Sequence, residues 1–151
     1  CGKSHWNFLS KIFDGAVSIE KTYNDCDKAI NKLRAYNERV EKMRENREDV
    51  SRFPADEKAA LDQIVNHAIE KATQLVNMEP ERNWPGVFRE MHKNLATIYF
   101  ELHEYDKVHE ACEKLRNYGE VGRQDAEEVL QKLKDKEGGK VDTREAATAT
   151  V

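Results

Sequence analysis

Helix breakers are scarce in this 151-residue chain, with 3 prolines and 7 glycines, and no alternating β-branched run occurs. Both absences favour helix over strand. Long apolar runs are missing too: no stretch reaches eighteen residues, so nothing in the sequence spans a bilayer as a helix. Neither sign of charge dominates, since 25 Lys and Arg face 29 Asp and Glu for a formal net charge of −4. No overall field therefore draws the chain to nucleic acid. The basic residues from Lys28 to Arg52 are interleaved with Glu38, Glu41, Glu45, Glu48 and Asp49. That mixture suits a solvated helix with i,i+4 pairs better than a phosphate track. No histidine has a second at i+4, so the zinc-protease arrangement is absent.

What is present is amphipathic helix. Mean hydropathy is −0.88, and 36% of residues are charged, a composition that supports a thin core. From 5 to 47 the apolar positions Leu9, Ile12, Ala16, Ile19, Tyr23, Cys26, Ile30, Leu33 and Val40 recur three and four apart, with Asn37 on the same seam. This predicts one long helix with a single packing stripe. Pro54 ends the interruption at Arg52-Phe53-Pro54 and suits the first position of a second helix, 54–77. Its stripe is Leu61, Ile64, Val65, Ala68, Ala72, Leu75 and Val76. Pro80 and Pro85 mark a loop, and a helical hairpin follows over 87–118. A capping helix over 124–136 carries Ala126, Val129, Leu130 and Leu133. Gly138-Gly139 opens a tail, 138–151, expected to be flexible. The expectation is one all-α domain over 5–137, built of antiparallel hairpins behind a long N-terminal helix.

Within the hairpin, Leu95, Ala96, Tyr99, Tyr105, Val108 and Cys112 resemble the large, small, large, aromatic, small and large positions of a tetratricopeptide repeat. The likeness covers about 21 residues closely, or about 34 if Arg89 to Gly122 is one unit. His92 stands where that family often has tryptophan, His103 replaces the common turn glycine, and Val108 replaces alanine. No second copy appears 34 residues to either side. The resemblance implies a right-handed helical stack whose concave face is lined by first helices. Here that face would comprise Lys93, Asn94, Thr97, Ile98 and Glu101 as partner contacts. It also implies binding without chemistry.

Cys1 at the head of the sequence resembles the lipidated cysteine of a mature bacterial lipoprotein, with residues 1–4 as anchor and short tether. Trp6, Phe8, Leu9, Ile12 and Phe13 then suit the headgroup level or a membrane-embedded partner. Starting a core helix is the alternative use of the same residues. No aspartate follows Cys1 directly, which leans toward the outer membrane. Of the remaining cysteines, a bridge between Cys26 and Cys112 would close a loop worth ~4 kcal/mol in the entropy model. Two buried free thiols are the other reading. His103, Glu104, Asp106, His109, Glu110 and Cys112 do not have the spacing of metal ligands on one helical face. No nucleophile, base and carboxylate assemble into a constellation.

The expected function is therefore a non-catalytic scaffold or assembly subunit without cofactor or metal. It would be lipid-anchored on the periplasmic side of a membrane and bound to a protein complex there. A soluble, cytoplasmic adaptor or co-chaperone without lipid is the alternative.

Overall fold

In a computed structural model of the chain, the backbone is described for residues 2–149 and the side chains for 19–137. Among the described residues there are five α-helices and no strand: α1 (Gly2–Glu45), α2 (Ala55–Val76), α3 (Pro85–Glu101), α4 (Tyr105–Leu115) and α5 (Gly119–Ala149). The all-α expectation holds. The chain divides into two compact units, residues 1–83 and 84–151.

In the first unit α1 and α2 pack on each other. The described part of α1 buries Thr22, Cys26, Ala29, Ile30, Leu33 and Val40, and α2 buries Leu61, Val65, Ala68, Ala72 and Leu75. Both sets follow the three-and-four spacing that puts side chains on one helical face. The connection begins where Arg47 enters the left-handed region at φ 56°. The Glu48 N–H then donates to the Met43 carbonyl at 2.8 Å, and that of Arg47 to Arg44 at 3.0 Å. These bonds satisfy carbonyls that a helix end otherwise leaves unpaired. One turn of 3₁₀ helix, Val50–Arg52, follows, with the Asp49 carboxylate accepting from the Ser51 N–H at 3.0 Å. Pro54 stands at the N-cap rather than inside the helix, and Asp56 and Glu57 occupy the first turn of α2, where negative charge is favoured.

The second unit begins with Pro85 in the first turn of α3, two residues before the predicted start. That position needs no backbone N–H. α3 and α4 fold back on each other as the expected hairpin. At the turn His103 adopts φ 63°, and the Glu104 N–H reaches the Tyr99 carbonyl at 2.9 Å. α5 packs on both α3 and α4. The shared core is Ala96, Val108, Ala111, Cys112, Leu115, Ala126, Val129 and Leu133, edged by Tyr99, Phe100, Tyr105 and Leu130. Three alanines among eight core residues let the helix axes approach closely.

α5 starts earlier than predicted because two glycines build the α4–α5 corner instead of ending a unit. Gly119 takes φ +70°, and a Cβ on Gly122 would lie 2.1 Å from the Leu115 carbonyl oxygen. Position 122 thus requires glycine for close backbone approach. The expected tail, 138–151, lies outside the residues whose side chains are described.

Candidate interaction surfaces

On the first unit, a groove of about 300 Å³ runs along the seam of α1 and α2. It is lined by Lys32, Ala35, Tyr36, Arg39, Phe53, Glu57, Ala60, Leu61 and Ile64. A second hollow of about 190 Å³ shares Ile64 and continues past Asp25, Lys28, Gln63 and His67. The lining follows from helix periodicity: 25, 28, 32, 35 and 39 form one stripe of α1, and 57, 60, 64 and 67 one stripe of α2.

Aromatic packing closes one end of the seam. Phe53, delivered by the turn before Pro54, meets Tyr36 edge-to-face with ring centroids 4.9 Å apart, the arrangement favoured by ring quadrupoles. The Arg39 guanidinium lies 4.5 Å from the Phe53 centroid. It also pairs with Glu57 across the helices at 2.9 Å. Toward the other end, His67 Nε2 sits 3.1 Å from an Asp25 carboxylate oxygen, a contact that becomes an ion pair when the imidazole is protonated. Between these two cross-links, Lys28 and Lys32 form no ion pair among the described residues.

On the second unit, a hollow between α4 and α5 is larger at about 620 Å³. Its lining is His109, Arg116, Glu127, Leu130, Gln131, Leu133, Lys134 and Glu137. Two apolar residues among eight, with both signs of charge, make this a mixed lining. The first-unit groove has six apolar lining residues of nine, so it is the better docking surface despite its smaller volume.

The face expected of the repeat resemblance fares differently residue by residue. Ile98 is fully buried, which corrects its assignment as a partner contact: α3 is apolar over a wider arc than one stripe. Lys93 is engaged by α5, its ammonium 3.1 Å from Asp125 and 2.9 Å from Glu128. Arg89 reaches the other Asp125 oxygen at 2.6 Å. Asp125 is a nearly buried carboxylate held by two cations, so this cluster fastens α3 to α5. The hydrogen bond from Lys93 is the main cause that lowers the Glu128 pKa, and the bond to Glu128 the main cause that raises that of Lys93. The Thr97 hydroxyl donates to the Lys93 carbonyl at 2.9 Å, and Asn94 is half-buried beside the Met91 sulfur. Glu101 is half-buried as well.

Of the two readings of Cys26 and Cys112, the structure has both as free thiols. Each is enclosed in the core of its own unit, 0% and 1% exposed. Burial pushes the Cys26 thiol up to about 12 and that of Cys112 up to about 11, so both stay protonated at neutral pH and are poor nucleophiles. His92 is buried with its ring 5.8 Å from that of Tyr118.

Cys1, Trp6, Phe8, Leu9, Ile12 and Phe13 lie outside the residues whose side chains are described. Among the described residues, no three His, Cys, Asp or Glu side chains converge as metal ligands, and no helix is long and apolar enough to cross a membrane.

Of the groove residues, Leu61 and Ile64 belonged to the predicted stripe of the second helix; the others were not singled out, yet a signal was present. Lys28, Lys32, Ala35 and Arg39 repeat at helical spacing beside the core stripe, with a small residue where neighbouring positions are long and charged. No protein-family model, no curated protein and no solved structure matches the chain.

Proposed function

We propose that this chain is a protein–protein interaction scaffold or assembly subunit that works by holding a partner, without catalysis. The observation that carries this reading is the open seam of α1 and α2. There Tyr36, Phe53 and Ile64 are left half-buried beside exposed Ala35 and Ala60. A two-helix layer with an apolar outer groove gains stability when another element covers that groove. The fastened three-helix unit supports the same reading, because it presents a rigid body at the other end of the chain's sequence. Its tetratricopeptide-like hairpin belongs to this proposal as a likeness of side-chain pattern.

A lipid on Cys1 is the second part of the proposal. It would hold the chain at the periplasmic face of a bacterial membrane, with Trp6, Phe8, Leu9, Ile12 and Phe13 adding contact. One acyl chain alone binds a bilayer only marginally, so a lipidated form needs that second contact. A soluble adaptor using the same groove is the alternative, and one measurement separates the two. Intact mass spectrometry of the natively extracted N-terminal peptide is expected to show acyl mass on Cys1, and an unmodified cysteine assigns the adaptor form. The scaffold reading is tested by isolating the full chain under mild conditions. A second polypeptide in fixed stoichiometry is expected, and an isolated single chain overturns it.

A further inference from the structure

We propose that the α1–α2 groove receives one amphipathic α-helix of a partner protein, a helix whose apolar stripe is flanked by carboxylates one turn apart. This rests on the scaffold reading and names the occupant of its surface. Three features of the seam point to that chemistry.

The first is shape. A third helix laid along two packed helices contacts one stripe of each, and those stripes here are 25, 28, 32, 35, 39 and 57, 60, 64, 67. Ala35 and Ala60 stand at the middle of the groove and are both exposed. Small side chains at the point of closest approach allow helix axes to come within about 8–10 Å. Leu61 and Ile64 supply apolar floor, and the Tyr36–Phe53 pair forms an end wall.

The second is the disposition of charge. Arg39 and Glu57 answer each other across the seam, and Asp25 faces His67. Asp25 is half-buried and its Oδ2 is enclosed without a hydrogen-bond partner, so the exposed lining charges that form no ion pair among the described residues are Lys28 and Lys32, four residues apart on α1. Their four-residue spacing is just over one turn, ~6 Å along the axis, so the complementary helix carries Glu or Asp at i and i+4 on its flank.

The third is continuity. The two hollows share Ile64, so the apolar track extends from Phe53 to His67 along the helices instead of ending in one pit. A track of that form fits the helix-in-groove mode of recognition, read through anchors at i, i+3, i+4 and i+7.

The experiment uses the full chain and a fluorescein-labelled synthetic helix of about four turns, with Leu and Ala on the docking stripe and paired Glu on the flank. A second peptide replaces those Glu with Lys. Fluorescence anisotropy is expected to show the Glu peptide binding at least about tenfold more tightly, a preference that shrinks as salt rises. In the double variant Lys28→Glu, Lys32→Glu the preference inverts. Ala60→Arg, a change at an exposed position, removes binding of both peptides while the thermal transition stays in place. Equal affinities for the two peptides overturn the proposal, as does absence of binding, or undiminished binding by folded Ala60→Arg. Self-association of the full chain that Ala60→Arg abolishes gives the groove to a second copy and also overturns it. A native companion that stays bound to Ala60→Arg leaves the scaffold reading standing and removes the groove from it. Peptide binding by a chain that has no native companion does the reverse.

Discussion

At the scale of single residues, solvent access and close approach set the behaviour of the side chains. Cys26 and Cys112 are apolar packing units whose thiols burial holds near 12 and 11. At pH 8 their thiolate fractions are on the order of 10⁻⁴ and 10⁻³. Peptide mapping after iodoacetamide treatment should find both unmodified in the folded chain and both alkylated after unfolding. Alkylation of either at equal rates in the two states refutes their enclosure. Gly122 is the other residue with a sharp consequence. A methyl there meets the Leu115 carbonyl oxygen at 2.1 Å and the Tyr118 Cβ at 2.8 Å, both stiff neighbours. Gly122→Ala is expected to lower stability by about 1–3 kcal/mol in a denaturant titration, even though alanine favours helix in open positions. An unchanged midpoint would show that the α4–α5 corner is not this tight.

At the scale of elements, legibility tracks how many sides of a helix are covered. The stripe Cys26, Ile30, Leu33 and Val40 and the stripe Leu61, Val65, Ala68, Ala72 and Leu75 were plain from spacing, because α1 and α2 each turn one face inward. Thr22 was missed because it is polar, and Ala29 because the seam was drawn through its neighbour Ile30, although both are buried. Ile98 was misplaced because α3 buries Phe88, Met91, His92, Leu95, Ala96 and Ile98, an arc wider than a single-stripe pattern describes. Helix ends were legible where proline or glycine sets them and shifted where they cap: Pro54 stays outside α2, and Gly119 opens α5. The join of α3 to α5 was not legible at all, because Arg89 and Lys93 meet Asp125 across 36 and 32 residues. That join carries a pH dependence. The depressed Glu128 carboxyl adds stability that is present above the ordinary carboxylate range, near 4.3, and lost as pH falls through its lowered value. The raised Lys93 ammonium adds stability that is present below its ordinary range and lost as pH rises through its raised value. Glu128 is half exposed, so water screens the pair to within ~1 kcal/mol. Thermal melts of Glu128→Gln should fall below those of the parent chain at pH 7 and converge with them as the pH falls through the lowered Glu128 value. A constant offset across that range contradicts the ion-pair origin.

At the scale of the whole molecule, the chain is two helical units, each with its own core. One keeps an apolar groove open on its seam; the other fastens a hairpin to a following helix through a buried carboxylate. Fold class and most of the cores were legible because they are periodic. The groove was not, because it consists of what the core stripes leave over, and small or charged residues at exposed positions read as ordinary surface. If that groove is where the chain does its work, then a single side chain within it controls assembly. The decisive measurement is the native mass of the full chain extracted from its own cells, taken in parallel with Ala60→Arg. The parent chain should run in an assembly heavier than one chain, with one companion in whole-number ratio, and the folded variant as the free chain. A parent chain that itself runs alone as a single chain contradicts the proposal that it exists to hold another protein.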